Sequence, residues 1–518
     1  MAILTKKEFK IFLTFFIIYI CFARFEPWND TSKLDLTRAI VDEHRFEIDS
    51  YINDTEDYIS NTGDRAYYKD HYYSDKPPGA SFLTVPVYAV FKLFFGMPDT
   101  ELKLHILEFM IIAFSSVLFS AFLVVLIYKI SEFFVKKEMY RTLITVIFGL
   151  GTMVFAFATI TYQHAVANFF AFLCFYLILK MKQEDKFSNK NFFIAGLCGG
   201  FAIICEYSTS IVILACIIMI LALKKWKQLV PFLLGFLIII SLLFMYNYSI
   251  FGNFLDIAYN HLDEKIFLME EKIFPAVYTN DYAQGFIPFQ FIKTDAMPLF
   301  SLVKVKIILR LLFYPFRGLF FYSPILVLSL IGLLYMHKKY KLEANLIIFI
   351  FILFLIYNSQ MLDWAAGSSF GPRYLYAVVP FLSLSLMFCF KKINLKFISL
   401  LTIISIIINL IGMQVLIINN PYAEGLPIRP TSDYKSKITT WQPISNPLFT
   451  YYMPLFFKYG PRSILIEQIL GFRLPPFLNV IVLLIIVSII WRKELIRKIK
   501  KDFNKGKASK TKSVLTQE

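Results

Sequence analysis

Apolar residues in this chain gather in long uninterrupted runs instead of the short alternations expected of soluble helices and strands. A helix needs about 20 predominantly apolar residues to cross a bilayer core. On that criterion the runs predict about twelve spans, over 9–25, 105–134, 142–160, 163–180, 191–206, 208–223, 229–250, 318–336, 343–360, 374–390, 397–418 and 476–491. The segments between them are of two kinds. Short basic ones lie at 136–141, 180–190, 224–227, 337–341 and 391–396, with a basic tail from Arg492. Cytoplasmic loops are enriched in Lys and Arg, so these connections and both termini are expected inside. Loops 26–104, 251–317, 361–373 and 419–475 are then expected on the outer face.

One apolar stretch, 81–95, is read differently. If it crossed, Lys136 and Lys137 would emerge outside and every later basic loop would be inverted with them. It is about fifteen residues long, broken by Pro86 and carries Lys92, which suits a helix lying at the outer interface with its apolar face in lipid. The first run follows Lys6, Lys7 and Lys10 but shows no small-residue cleavage site, and is read as an uncleaved span. The expected fold is an all-α polytopic membrane protein with a large first outer loop containing interfacial helices. Residues 1–491 are expected to form one transmembrane domain, and 492–518 a disordered basic cytoplasmic tail held near anionic headgroups.

Composition removes the main competing classes. Apolar residues make up 57% and charged residues 17%, with a mean hydropathy of +0.60, so a water-soluble fold is excluded. The formal charge is +16, but the basic residues sit between apolar runs and not on one soluble face, which argues for topology and against nucleic acid. Cys21, Cys174, Cys198, Cys205, Cys216 and Cys389 all fall in apolar segments without CxxC spacing. Neither disulfides nor a cysteine metal site is expected.

Candidate chemistry concentrates in the outer loops. The first is dense in carboxylates, among them Asp30, Asp35, Asp64, Asp70 and Asp75. Asp30 and Asp35 directly follow the first span, where a lipid headgroup lies. A short helix is expected there, running on through Leu36 to Val41, and a separation of five residues need not bring both acids to one side. Asp75-Lys76-Pro77-Pro78-Gly79 sets a cation and an acid just before two backbone-fixing prolines. Lys76 is a point charge able to meet a phosphate at headgroup depth, or a snorkelling interface lysine beside a turn. In the loop ending Phe370-Gly371-Pro372-Arg373-Tyr374, Arg373 opens a helix where the dipole disfavours a cation, which calls for an anionic partner. His164 and Glu206 stand at outer helix ends, as site groups or as satisfied structural residues. Arg317 is read as an anchor for a helix start.

Taken together, these pieces resemble the C-type glycosyltransferases, the polytopic enzymes that include protein O-mannosyltransferases and aminoarabinose transferases acting on lipid A. The resemblance covers most of the chain and is carried by Ser32-Lys33-Leu34-Asp35-Leu36-Thr37, Asn61-Thr62-Gly63-Asp64-Arg65-Ala66, Tyr73-Ser74-Asp75-Lys76-Pro77-Pro78-Gly79 and Phe370-Gly371-Pro372-Arg373-Tyr374, in that order. It implies transfer of a sugar from a polyprenyl or dolichyl phosphate to a protein, lipid or glycan acceptor at the outer face of the cell membrane, usually with inversion. Asp35 or Asp30 would be the general base, with Asp35 favoured because it lies within the matching wording. Many relatives carry Asp-Glu beside the first span, where this chain has Asn29-Asp30. Lys76 and Arg373 would neutralise the lipid phosphate, with Asp75, Asp64, His164 and Glu206 also binding substrate. Some relatives hold a divalent metal in this loop, and its acids permit one without requiring it. The rival functions are a transporter or flippase of lipid-linked sugars and a non-catalytic membrane scaffold. Membrane lipids are partners on every reading, and nucleic acid on none.

Overall fold

A computed structural model of the chain describes residues 4–25, 29–52, 62–160, 163–263, 304–361, 364, 366, 369–414, 446–494 and 496. The basic tail beyond Ile496, most of loop 251–317 and the first part of loop 419–475 lie outside these residues.

Helix stands at each predicted span, and the chain is an all-α polytopic membrane protein. α1 (Lys6–Cys21) starts from a capping box in which the Glu8 amide donates to Thr5 Oγ1 and the Thr5 amide to Glu8 Oε2. The first outer loop folds into α2 (Asn29–Arg38), a hairpin of β1 (Arg65–Tyr68) and β2 (His71–Ser74), and α3 (Gly79–Phe95). α4 (Glu101–Ile112) and α5 (Leu118–Phe134) are one continuous 34-residue helix, joined by a π turn. The expected span 142–160 is divided, because α6 (Glu138–Leu150) stops before Gly151 and Thr152 and the chain resumes as the short α7 (Val154–Ala158). α8 (Gln163–Glu184), α9 (Asn189–Cys205), α10 (Ser210–Ala222) and α11 (Trp226–Phe251) follow.

α12 (Val305–Phe313) lies in the last part of loop 251–317, and α13 (Leu319–Tyr322), α14 (Val327–His337) and α15 (Lys341–Gln360) follow. The expected span 374–390 begins as a 3₁₀ helix, Arg373–Val378, and continues as α16 (Val379–Leu386). α17 (Leu395–Gln414), α18 (Met453–Tyr459), α19 (Ile464–Leu470) and α20 (Leu478–Ile490) complete the described chain. Among the described residues five helical stretches, Glu101–Phe134, Gln163–Glu184, Trp226–Phe251, Lys341–Gln360 and Leu395–Gly412, are long and apolar enough to cross a membrane by length and composition. The remaining apolar helices are shorter.

Two lipid-solvated helices gain little from hydrophobic burial against each other, so close backbone packing has to hold them. α9 and α11 meet in this way. A Cβ at Gly196 would stand 1.9 Å from the Phe232 carbonyl oxygen, and one at Gly235 would stand 2.2 Å from that of Phe193. The opposite side of α11 presents Leu234, Leu237, Ile238 and Met245 outward, which is stable only against lipid. α3 is apolar and outward-facing at its far end, through Val90, Leu93 and Phe94. Its near end is buried through Gly79, Ala80, Ser81 and Thr84.

Candidate active site

The hairpin was not expected from sequence, and it builds the centre of the site. Its two-residue turn, Lys69-Asp70, holds both residues at positive φ, 48° and 65°, as a right-twisted two-residue hairpin requires. The register pairs Arg65 with Ser74, so the flanking residues Asp64 and Asp75 leave the hairpin side by side. Both grip one cation: Lys76 Nζ is 2.9 Å from Asp64 Oδ2 and 3.0 Å from Asp75 Oδ2. Segment 256–263 steadies the other edge, with Ala66 bridged to Leu262 and Arg65 Nε donating to Asp263 Oδ2 at 2.9 Å.

α2 is fixed across this hairpin and α3. Ser32 and Ser74 share a hydroxyl hydrogen bond of 2.7 Å, Thr37 and Thr84 one of 2.8 Å, and the Ser81 hydroxyl donates to the Lys33 carbonyl at 3.1 Å. This places Lys33 inside the cluster. Its buried ammonium donates to Asn29 Oδ1, to Gln163 Oε1 at 3.3 Å and to Asp30 Oδ1 at 3.4 Å. Gln163 passes the chain of contacts onward, since its amide nitrogen donates to Glu206 Oε2 at 3.3 Å. Glu206 caps α9, accepts from the Ser208 hydroxyl at 3.1 Å and lies 3.1 Å from His164 Nδ1.

The chain after Pro77-Pro78 packs against the end of α9, just before Glu206, because residue 79 has no side chain. A Cβ there would sit 2.7 Å from the backbone of Ile204 and 2.8 Å from the Cys205 nitrogen, at the end of α9. Arg373, at the start of its 3₁₀ helix, completes the group within electrostatic range of Asp64 and His164, and Tyr374 sets its ring 6.4 Å from the His164 ring.

Burial and charge tune these groups in opposite directions. Burial raises the Asp64 carboxyl, but Lys76, with Arg373 and Lys33 further away, outweighs it and holds the group below the ordinary carboxylate value. Burial pushes Asp75 up to about 6 despite Lys76. Burial lowers the Lys76 ammonium, yet its two carboxylates more than compensate and raise it. Lys33 is lowered to about 8 by burial, partly offset by Asp30.

Of the residues expected from sequence, Asp30, Asp64, Asp75, Lys76, His164, Glu206 and Arg373 thus come together. Asp35 does not join them. Five residues on from Asp30 is about 140° around a helix, and Asp35 is buried on another side of α2. The charge acting on it is Arg38, and its Oδ2 meets no hydrogen-bond donor among the described residues. Burial raises its carboxyl well above the usual range, with Arg38 opposing. Arg317 is fully buried and donates to the Phe316 carbonyl, in keeping with an anchor.

Sequence reasoning did not single out Lys33, Asn29 and Gln163. The available signal was a lysine in a segment that otherwise reads as packed, three residues from Asp30. Among the described residues no group of three or more His, Cys, Asp or Glu is placed to hold a metal ion. The cluster's carboxylates are instead matched to Lys33, Lys76 and His164.

No protein-family model and no curated protein matches the sequence. Among solved structures the chain is similar to ArnT from Cupriavidus metallidurans in the apo state. The similarity has 12% identity and a TM-score of 0.43, over 74% of this chain and 59% of that one, so this chain spans less than two thirds of that chain's length.

Proposed function

We propose that the protein is a membrane glycosyltransferase that takes a sugar from a polyprenyl-phosphate donor and passes it, with inversion, to a hydroxyl acceptor at the outer face. The observation that carries this reading is the convergence of Lys76 and Arg373, from loops nearly 300 residues apart in sequence, on one buried acid-base cluster at the end of the helical bundle. Buried charges at such a depth are costly unless they serve an ionic ligand or one another. Two cations sharing Asp64 suit a phosphate monoanion, which takes over part of that carboxylate's role when the donor arrives.

In the transfer the acceptor oxygen forms the new bond to the anomeric carbon, and the bond from that carbon to the phosphate oxygen breaks. The phosphate leaves with the electron pair, beside Lys76 and Arg373, whose charges match what develops on it. The acceptor proton passes to a carboxylate on the far side of the sugar. The resemblance favours Asp35 for that role, and Asp30, which shares the cluster with Lys33, is the alternative. This reading takes the cluster to lie on the outer side, as it would with twelve spans and both termini inside.

The test is sugar transfer by full-length protein in lipid nanodiscs, from polyprenyl-phosphate mannose and its glucose counterpart. Asp35→Asn is expected to lose about 10²–10⁴-fold in rate, the range for a general base, and Asp30→Asn markedly less. Full transfer by both variants would remove the catalytic role of this loop. Donor binding with transbilayer movement but no transfer would favour a flippase.

A further inference from the structure

Among the described residues, Asp75 Oδ1 and the Tyr246 hydroxyl, two buried polar atoms near the Lys76 cluster, have no hydrogen-bond partner. Both residues are more than nine-tenths buried, at 6% and 3% exposure. They approach from different directions, Asp75 from the end of the hairpin and Tyr246 from α11. Tyr246 is locked by its ring, which stacks edge-on to Phe46 at 4.9 Å and to Phe82 at 5.8 Å, so its hydroxyl has a fixed position. It packs in one cluster with Tyr73, two residues before Asp75, and lies within electrostatic range of Asp75 and Tyr207. Tyr207 and Tyr259 meet edge-on at 6.2 Å, and Tyr259 is within the same range of Asp75 and Glu206.

A buried acceptor and a buried hydroxyl left unfilled each carry a desolvation cost that nothing else offsets. Native structures keep such atoms where a ligand or an ordered water satisfies them. Asp75 can only accept once ionised, whereas Tyr246 can both donate and accept, so the pair fits a ligand carrying hydroxyls. Aromatic rings beside them fit the apolar face of a pyranose. Lys76 binds Asp75 through the other oxygen, Oδ2, so Oδ1 remains open to a group on the sugar side of a phosphate held at Lys76.

We infer that Asp75 Oδ1 and the Tyr246 hydroxyl, walled by Tyr207 and Tyr259, form the subsite for the ring hydroxyls of the transferred sugar. The ligand class is a hexose with free hydroxyls, attached to a lipid phosphate. This rests on the reading of Lys76 as the phosphate cation. Tyr246 is a specificity-determining residue in it, and Asp75 joins the two subsites.

Binding of a C20 polyprenyl phosphate, bare or carrying mannose, glucose, galactose or N-acetylglucosamine, to the full-length protein in nanodiscs separates the possibilities. Wild-type protein is expected to bind at least one sugar-bearing lipid more tightly than the bare lipid. Tyr246→Phe, which keeps the ring and its packing, is expected to weaken that lipid about 3- to 10-fold, the worth of one hydrogen bond, and to leave the bare lipid unchanged. Asp75→Asn is expected to weaken both, because it also alters the partner of Lys76. If Tyr246→Phe changes no sugar-bearing lipid, or weakens the bare lipid equally, the subsite is wrong while the phosphate reading stands. The same holds if no sugar-bearing lipid binds wild type better than the bare one. If wild type binds none of the lipids, the phosphate reading fails and the subsite falls with it.

Discussion

Buried charge occurs at both ends of this bundle, and the two ends use it differently. At the end where α1 begins, ion pairs are largely binary and join helix to helix. Lys129 on α5 meets Glu8 on α1 at 3.0 Å, and Lys182 on α8 meets Glu343 on α15 at 2.5 Å. Arg141 on α6 meets Glu132 on α5 at 2.6 Å, and Lys7 pairs with Glu138. At the loop end the pairs merge. Lys76 serves two carboxylates, Glu206 receives His164, Gln163 and Ser208, and Lys33 is shared by three acceptors. A binary pair is complete without anything further, and its contribution is to fix two helices. A network in which one cation divides itself among several acids, with Asp75 Oδ1 still unfilled, can exchange partners when an anion arrives. The contrast supports the proposal that the loop end is the site and the other end is anchorage.

The widest separation between the two ends is expected from removing one lysine at each. Lys76→Met should lower transfer from polyprenyl-phosphate sugar by about 10²–10³-fold, the usual loss when one preorganised charge-stabilising group is deleted. It should also leave Asp64 and Asp75 facing each other without the cation that bridges them. Lys182→Met should leave kcat/KM per folded molecule unchanged. Equal catalytic losses in the two variants, measured on material of matched folded fraction, would erase the distinction.

Stability should respond in the opposite sense. Glu343 is 1% exposed at its side chain and Lys182 28%, so the pair lies between a surface bridge and a buried one. Lys182→Met is expected to cost about 1–3 kcal/mol, below the range for breaking a fully buried pair. Thermal unfolding in detergent reads it, and Lys182→Arg should recover most of the loss. A variant with unchanged Tm would show that this pair holds nothing.

How far this contrast could be read from the chain differs by level. The helices were legible, because the bilayer demands long apolar runs and the runs are there. The members of the cluster were largely legible too, since Asp30, Asp64, Asp75, Lys76, His164, Glu206 and Arg373 all stand in polar stretches or at helix ends beside them. The reason they meet was not. It depends on the hairpin register that sets Asp64 beside Asp75, and a Lys-Asp turn lacks the Asn-Gly or Asp-Gly signal that announces a tight hairpin. It depends equally on Gly79 lying against the end of α9, a contact between segments more than a hundred residues apart. Lys33 went unnoticed because hydropathy cannot distinguish a lysine folded inward among Asn29, Asp30 and Gln163 from one at the surface. The separation of Asp30 from Asp35 did follow from helical spacing, though which acid would face the cations did not.

A subtler difference between the ends should appear on titration. Asp75 is pushed up to about 6, chiefly by burial, so the folded state holds its proton more tightly than the unfolded chain does. Its favourable contribution is therefore complete below the unfolded value near 3.8 and is lost as pH rises through about 6. Relative to Asp75→Asn, wild-type protein should lose stability between pH 4 and 7, read as a falling difference in Tm. A pH-independent difference, or one that grows with pH, would contradict the assignment.

The smallest effect is expected where α1 meets the chain after α20. Lys10 Nζ lies 2.7 Å from Glu494, and it stands 5.5 Å over the Trp491 ring. Glu494 is 48% exposed, so water and salt screen the pair and it is worth about 0–1 kcal/mol. Trp491 is held independently, its indole nitrogen donating to Thr14 Oγ1 at 2.9 Å. Lys10→Met should therefore keep α20 docked, because the methionine retains apolar contact with Trp491 while giving up only a screened charge. Trp491→Leu should cost more, since it removes both the aromatic area and the hydrogen bond to α1. Reversal of that order in thermal unfolding would mean that charge, not the indole, fastens this end, and that even the exposed pairs at the α1 end are coupled as those around Lys76 are.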